Sequence, residues 1–469
     1  MRFSGRRSGN IAKDRLKLLL TSERLDCTPQ MMTMLQNDVI RAVNKYFAVR
    51  ERSVELRYRK DTAADRHRKI GSWDKPFKIT TEIVYNHKKK GVFMIRQYRL
   101  RDYNFRLVIA LIALTSIGVL LVGSAEPALQ NRQLAGMILG LAVMLVVSLM
   151  DFSWILNFNW IMYAGNLVLL LLVILFGTDA NGATRWLNIA GIQFQPTELA
   201  KIIIILFFAK FFMDHEEDLN TLHTLVKSVI LIAIPLVLIL SQPDLKNTIT
   251  IAILFCILIY VAGLSYKVIG GTLLIAVPLA VIFLFIVVQP DQKLIKPYQR
   301  DRIMAFLNSE DDEYSDDVLQ QKNSVMAIGS GQLTGKGLNN NEVASANKGN
   351  FVSENQTDFI FSVAGEELGF IGCTAIILLL LFITFECIRT GIRAKDLSGR
   401  LICCGVAAVI GVQSFINIAV VTKILPNTGT PLPFVSYGLT SMVSLYIGMG
   451  LVLNVGLQKY RTYREVEPS

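Results

Sequence analysis

Cysteine is scarce in this chain and never paired at metal-binding distance. The six cysteines, Cys27, Cys256, Cys373, Cys387, Cys403 and Cys404, include no Cys-x-x-Cys, which argues against a zinc site or a disulfide framework. Five of them fall in or beside apolar runs, so buried thiols are expected. Charge is also thin, at 18% of residues against 52% hydrophobic. That excludes an ordinary soluble protein and points to a polytopic membrane protein. The opening "MRFSGRRSGNIAKDRLKLLL" lacks the long apolar core and the small-residue cleavage site of a signal peptide. A phosphate-binding P-loop is missing too. "GSGQLTGKGL" has Ser330 where a glycine must stand five residues before Gly335, and Gly337 where Ser or Thr must follow Lys336.

What charge there is lies unevenly. Residues 1–106 hold 26 Lys+Arg against 11 Asp+Glu, and residues 107–469 hold 22 against 26, for a total net charge of +11. The basic block precedes every long apolar run and resists translocation, which predicts a cytoplasmic N-terminus. It suits contact with anionic lipid, and no nucleic-acid partner is expected. Ten apolar segments follow, at about 107–123, 134–150, 154–176, 197–213, 224–241, 247–263, 268–289, 358–385, 400–421 and 434–457. Most are long enough to span a bilayer. An even number returns the C-terminus to the cytoplasm. The basic loop "IRTGIRAKDLSGR" (388–400) and Lys459, Arg461 and Arg464 then lie inside, while the acidic loop 213–223 argues weakly the other way. The fold class expected is an all-α polytopic membrane protein with ten transmembrane helices. It has a large extracellular loop at 290–357 and a small partial α/β segment at the N-terminus. Within that loop "NSEDDEYSDD" reads as a solvated acidic face, and "SVMAIGSGQLTGKGL" as an apolar, glycine-rich stretch able to dip toward the membrane.

The N-terminal segment has its own pattern. "MLQNDVIRAVNKYF" sets Leu35, Val39, Val43 and Tyr46/Phe47 on one helical face, opposite Asp38, Arg41 and Lys45. "SVELRYR" alternates Val54, Leu56 and Tyr58 with Glu55, Arg57 and Arg59, as a strand does. From about Thr62 to residue 93 no period is sustained. We therefore divide the chain into a partial α/β segment (1–61), a linker or translated intergenic stretch (62–93) and a transmembrane domain (94–469).

Charged residues at the ends of apolar runs are the candidates for function, because a charge at the edge of hydrocarbon is costly. Asp244 follows Pro243 between two long runs. It suits the N-cap of the next helix and equally a functional site, and the two roles are compatible. In "QPTELAK", Glu198 and Lys201 are three apart on one helical face. They form either an interfacial ion pair or the polar wall of a cavity. In "TDFIFSVAGEELGF", Asp358 suits a helix cap. Glu366 and Glu367 fall two turns deeper, where an unpaired carboxylate is expensive, which favours a functional or partnered role. "LPNTGTPLPFVSYGLTS", which contains Ser436, is either a rigid connection or irregular backbone lining a cavity.

Taken together, "RWLNIAGIQFQPTELAK", "QPDLKNT", "MAIGSGQLTGKGL", "TDFIFSVAGEELGFIG" and "LPNTGTPLPFVSYG" are specific. From about Met94 to the end, the chain resembles the SEDS family (shape, elongation, division and sporulation), closest to its rod-shape branch, RodA, with the FtsW and sporulation branches near. The resemblance implies an inverting peptidoglycan glycosyltransferase of the bacterial cytoplasmic membrane, polymerising lipid II at the outer face for elongation and rod shape. It implies a partner in a monofunctional class B penicillin-binding transpeptidase, within the elongation or division machinery. The family's essential carboxylate falls on Asp244, and Glu198 and Lys201 match its polar pair. The family usually continues Pro-Asp-Leu-Gly-Thr, whereas Lys246 and Asn247 follow Leu245 here. Lys246 next to the carboxylate is expected to lower its basicity or to bind phosphate.

The implied chemistry suits these residue types. The acceptor hydroxyl loses a proton as it attacks the anomeric carbon of the donor, and a carboxylate in reach serves as base. The leaving lipid pyrophosphate needs cations. Lys201, Lys246, Arg185 and Lys423 are the candidates, with Asp358, Glu366, Glu367 and Ser436 further lining the substrate site. No cofactor is certain, and a divalent cation, magnesium or manganese, is an option. Two rivals remain on sequence alone, a transporter of the lipid-linked precursor and a scaffold that only recruits the transpeptidase. The N-terminal stretch resembles MinE, the topological specificity factor of the Min division system, which implies MinD as a partner through residues 13–24. "KKKGVFM" (88–94) is codable with a ribosome-binding sequence just ahead of Met94. Met94 is therefore also readable as the start of a separate protein, joined to its neighbour in one frame.

Overall fold

In the computed structural model the described residues are 54–60, 79–85, 103–180, 183–189, 192–266, 315–339 and 355–458, with isolated helical positions between 268 and 304. The chain divides into two compact units, Met1–Phe93 and Met94–Ser469.

In the first unit β1 (Val54–Lys60) pairs antiparallel with β2 (Ile79–Tyr85), in unbroken register from Val54↔Tyr85 to Lys60↔Ile79. The expected strand at "VELRYR" is present. Strand β2 corrects the expectation of a patternless 62–93. "ITTEIVY" is rich in β-branched residues, which fit a pleated surface even where polar alternation is weak. The expected helix at 34–47 and residues 13–24 lie outside the described residues.

The second unit is helical. Its helices are α1 (Phe105–Ala125), α2 (Pro127–Leu149), α3 (Phe152–Leu156), α4 (Asn159–Phe176), α5 (Pro196–Asp214), α6 (Leu222–Ser241), α7 (Leu245–Val261), α8 (Ser315–Ser330), α9 (Ile360–Ile392), α10 (Leu397–Val421) and α11 (Leu439–Leu457). A short meander, β3 (Thr178–Ala180), β4 (Ala183–Ile189) and β5 (Ile192–Phe194), joins α4 to α5. Among the described residues, nine of the ten expected spans are helices, and the span expected at 268–289 lies outside them. Among the described residues, seven helices are long and apolar enough to cross a membrane. Helix α7 is shorter, with 17 residues, and α5 carries Glu198, Lys201, Lys210 and Asp214.

Several boundaries differ from expectation. Helix α2 starts at Pro127, a residue suited to the first turn, and so takes in the polar "PALQNRQ". Helix α9 runs on to Ile392, into the expected loop, and Asp396 caps α10 through Gly399 N–H. Helix α11 starts at Leu439 rather than 434, because 425–438 is irregular. Cys256 is exposed on α7, whereas Cys373, Cys387 and Cys403 are buried.

Helices α5, α10 and α11 form the centre. Helix α5 is buried nearly all round, with Phe207, Phe208 and Phe212 fully enclosed, as befits a helix apolar on every face. The rings of Tyr163, Phe207, Phe208, Phe211 and Phe255 interlock around it. Helices α2, α4 and α6 are peripheral and expose Ile138, Val146, Ile161, Val168, Val229 and Val237. Lipid is as apolar as leucine, so association rests on close packing rather than on water exclusion. Small residues supply it. Gly140 lies beneath the Tyr446 ring, and a Cβ on Gly450 would stand 2.8 Å from the Met144 carbonyl. The Tyr446 hydroxyl bonds Thr115 Oγ1 at 2.8 Å, tying α11 to α1.

Helix α9 is broken at Gly369, where φ is 64° and ψ is −163°. The break frees backbone groups, and the turn after α8 satisfies them. Lys336 N–H donates to Glu366 O at 2.9 Å and Gly337 N–H to Glu367 O at 3.0 Å. In return Phe370 N–H reaches Gln332 O at 2.9 Å and Ile371 N–H reaches Leu333 O at 3.2 Å. Irregular backbone among spans is tolerated where protein covers it, so the glycine-rich stretch "GSGQLTGKG" serves as a backbone plug. A Cβ on Gly369 would meet the Leu333 carbonyl at 2.8 Å, and its φ suits glycine alone. Gly369→Ala is expected to cost about 1–3 kcal/mol. Thermal unfolding of purified protein in detergent checks this, and an unchanged midpoint would show that the break does not depend on glycine.

Candidate active site

Helix α6 ends at Ser241, and Pro243, which lacks an N–H, prevents the chain from simply continuing as helix. Asp244 follows as the N-cap of α7 and is fully buried. Its Oδ1 accepts Asn247 N–H at 3.3 Å. Its Oδ2 accepts the Asn247 Nδ2 amide at 2.8 Å and the Gln195 Nε2 amide at 3.3 Å. All these donors are neutral amides. The cap and a functional carboxylate are thus one residue, as the sequence allows.

Helix α5 begins beside it. Gln195 is its N-cap residue and Pro196 opens its first turn. Thr197 Oγ1 accepts the other amide hydrogen bond of Asn247 Nδ2 at 3.1 Å. One turn on, Lys201 Nζ and Glu198 Oε1 are 2.8 Å apart, both nearly inaccessible, and the Ser441 side chain also hydrogen-bonds Glu198. The pair is buried inside the protein. Lys246 Nζ donates to the Gly429 carbonyl and so ties α7 to the irregular 425–438 segment. Lys246 is absent from the hydrogen bonds held by Asp244. Arg185 on β4 donates from Nη2 to Pro243 O at 2.5 Å. Asp244, Glu198, Lys201, Lys246 and Arg185 therefore belong to one constellation, built where α5, α7, β4 and the 425–438 loop meet.

A second constellation sits at the break in α9. Glu366 Oε1 pairs with Lys336 Nζ at 2.8 Å, and Ser124 Oγ donates to Glu367 Oε1 at 2.5 Å. Asn339 N–H donates in turn to Ser124 Oγ at 3.1 Å. Both glutamates are buried and partnered. Asp358 does not cap α9, since Phe359 holds that position, but its carbonyl accepts Asn417 Nδ2 at 2.7 Å. Ser436 staples the loop, donating to Thr357 O at 2.6 Å and accepting Leu432 N–H at 2.7 Å. Lys423 lies just past α10 with φ 59°. Among the described residues no group of three or more His, Cys, Asp or Glu is placed to hold a metal ion.

Sequence reasoning missed Gln195, Thr197, Asn247, Ser441, Ser124 and Lys336. Five of these are neutral residues whose value lies in which atom they meet, and spacing along the chain does not encode that.

A multi-helix membrane bundle with a buried, amide-held carboxylate beside a buried ion pair defines a polytopic protein with a polar site inside its helix bundle. Residues 103–461 match the FtsW/RodA/SpoVE model, described as "Cell cycle protein", and the chain belongs to that family. Residues 1–67 match a second model, "Septum formation topological specificity factor MinE". A probable peptidoglycan glycosyltransferase FtsW of Geobacter sulfurreducens is 33% identical over 373 residues, covering 75% of this chain and 95% of the relative. The peptidoglycan glycosyltransferase MrdB of Escherichia coli is 31% identical over 355 residues, covering 74% and 92%. A solved structure described as "Structural coordination of polymerization and crosslinking by a peptidoglycan synthase complex" superposes with TM-score 0.63 and 27% identity, over 77% of this chain and 99% of that one. A crystal structure of a RodA variant from Thermus thermophilus gives 0.57 and 25%, over 77% and 99%.

Removing one member of the buried pair strands the other charge. Glu198→Gln is expected to cost about 3–5 kcal/mol, and Glu198→Gln/Lys201→Met much less. Detergent melts of the two variants decide this. A single variant as stable as the parent would mean that Lys201 finds another partner or loses its proton.

Proposed function

We propose that this chain is an inverting peptidoglycan glycosyltransferase that polymerises lipid II at the outer face of the bacterial cytoplasmic membrane, with Asp244 as general base. The observation that carries the reading is Asp244 itself: a fully buried carboxylate at a helix start, held on both oxygens by neutral amides. Those neutral amides fix its position at the start of α7, where a carboxylate within reach of an incoming hydroxyl serves as the base. Family membership and the glycosyltransferase relatives support the reaction class.

In this reaction the acceptor hydroxyl gives its proton to Asp244 as its oxygen attacks the anomeric carbon of the donor. The bond to the lipid pyrophosphate breaks, and the configuration inverts. Lys201, Lys246 and Arg185, which share the constellation of Asp244, together with Lys423 are the cations proposed to receive the pyrophosphate. Asp358, Glu366, Glu367 and Ser436 belong to the further substrate site. A divalent cation, magnesium or manganese, would be held largely by the phosphates themselves, as hard cations often are. The topology has ten spans with both termini cytoplasmic, the segment 268–289 supplying the tenth. The partner is a monofunctional class B penicillin-binding transpeptidase. The rod-shape role rests on the resemblance of the motifs, since FtsW and MrdB relatives are similarly identical.

The full chain, co-purified with its transpeptidase, is expected to make long glycan strands from lipid II in detergent. Asp244→Asn, equally folded, is expected to make none. Equal strands from both would reduce Asp244 to a cap, and no strands from either would favour the transporter.

Residues 1–93 form a unit of their own, similar to MinE over 1–67, and that similarity supports MinD as the proposed partner of residues 13–24. Met94 is then a separate start. Immunoblotting of a C-terminally tagged chain is expected to show a product shorter than the full 52.4 kDa. A single intact band at full mass would mean a true fusion.

A further inference from the structure

We infer that Asn247 is a positioning residue for Asp244, a strap that fixes the carboxylate against the start of α5. The inference rests on Asp244 being the base. Asn247 is 2% exposed, and Asp244 is fully enclosed. Asn247 touches Asp244 twice, through its backbone N–H on Oδ1 and its amide on Oδ2. The same amide nitrogen reaches Thr197 Oγ1 on another helix. Two donors on one planar nitrogen thus set the Asp244 carboxylate relative to both helices. A cap alone needs only the backbone contact to Oδ1, so the side-chain contacts are surplus to capping.

The other groups around the carboxylate do not replace this strap. Gln195 donates to the same Oδ2 from farther, at 3.3 Å. Thr248 Oγ1 bonds the Asp244 backbone carbonyl rather than the carboxylate. Lys246 is committed to Gly429 O. The nearby ion pair of Glu198 and Lys201 closes on itself. The charged groups placed around Asp244 by α5, α7 and β4 are therefore Glu198, Lys201, Lys246 and Arg185, each with a recorded partner of its own.

The test measures strand synthesis by the full chain with its transpeptidase, from pH 5 to pH 9, for the parent, Asn247→Ala, Asn247→Thr, Asn247→Asp and Asp244→Asn. Asn247→Ala is expected to lower kcat by about 10–100-fold, the scale of a misplaced reacting group. KM for lipid II should stay within about threefold, because positioning acts on the chemical step. Asn247→Thr, which keeps a donor, should recover much of the loss. Asn247→Asp keeps the shape and sets a second carboxylate against the first. Such a pair resists double ionisation, so the acid limb of the pH profile should move to higher pH. A side chain that served only the fold would lower the amount of folded protein and leave the limb in place. Parental kcat in Asn247→Ala, or an unmoved limb in Asn247→Asp, overturns the inference while the loss in Asp244→Asn upholds the base. Parental strands from Asp244→Asn overturn both. If Asn247→Ala fails to fold, the Asn247→Thr and Asn247→Asp profiles decide alone.

Discussion

Asp244 is fully buried at the start of α7, and its carboxylate is met there by neutral amides from two helix starts. A carboxylate in apolar surroundings costs several kcal/mol unless fixed donors meet it. Here the donors come from α7 itself through Asn247 and from α5 through Gln195. Asn247 carries the connection on to Thr197. The starts of two helices, α5 and α7, are thereby locked in register at one point. Arg185 draws β4 onto the carbonyl of Pro243, and Lys246 draws the 425–438 loop onto α7. Four chain segments thus meet around Asp244, two of them through its own carboxylate and two through neighbouring backbone carbonyls.

The cations tell a complementary story. Lys201 is held by Glu198, Lys336 by Glu366 and Lys246 by a backbone carbonyl. On the proposed reaction, an entering pyrophosphate exchanges partners with them rather than finding bare charge. These three lysines are therefore all partnered in the unliganded chain. That makes anion binding a swap of hydrogen bonds at nearly constant electrostatic cost.

The legible part of the fold was the apolar runs. Nine of the expected apolar runs are helices among the described residues, and Asp244, Glu198 and Lys201 stood out because charges there are rare. What stayed hidden has physical reasons. The break in α9 turns on one glycine whose partners lie in another segment, so Glu366 and Glu367 read as deep in a continuous span. Neutral Gln195 and Asn247 carry no cost signal in a sequence. Strand β2 lacks polar alternation, and only its β-branched content marked it. Helix ends differed in both directions: α9 runs on to Ile392, and α11 starts only at Leu439 because the preceding segment is irregular.

The interruption at Gly369 also bears on how this helix enters the bilayer during synthesis. The piece after it, residues 370–392, is 23 residues long, which at helical rise is about 34 Å, enough to cross the hydrocarbon unaided. The translocon therefore has a complete apolar signal without residues 360–368. The two glutamates need never partition into lipid. In the folded chain Lys336 and Ser124, both made earlier in synthesis, meet them where they are buried.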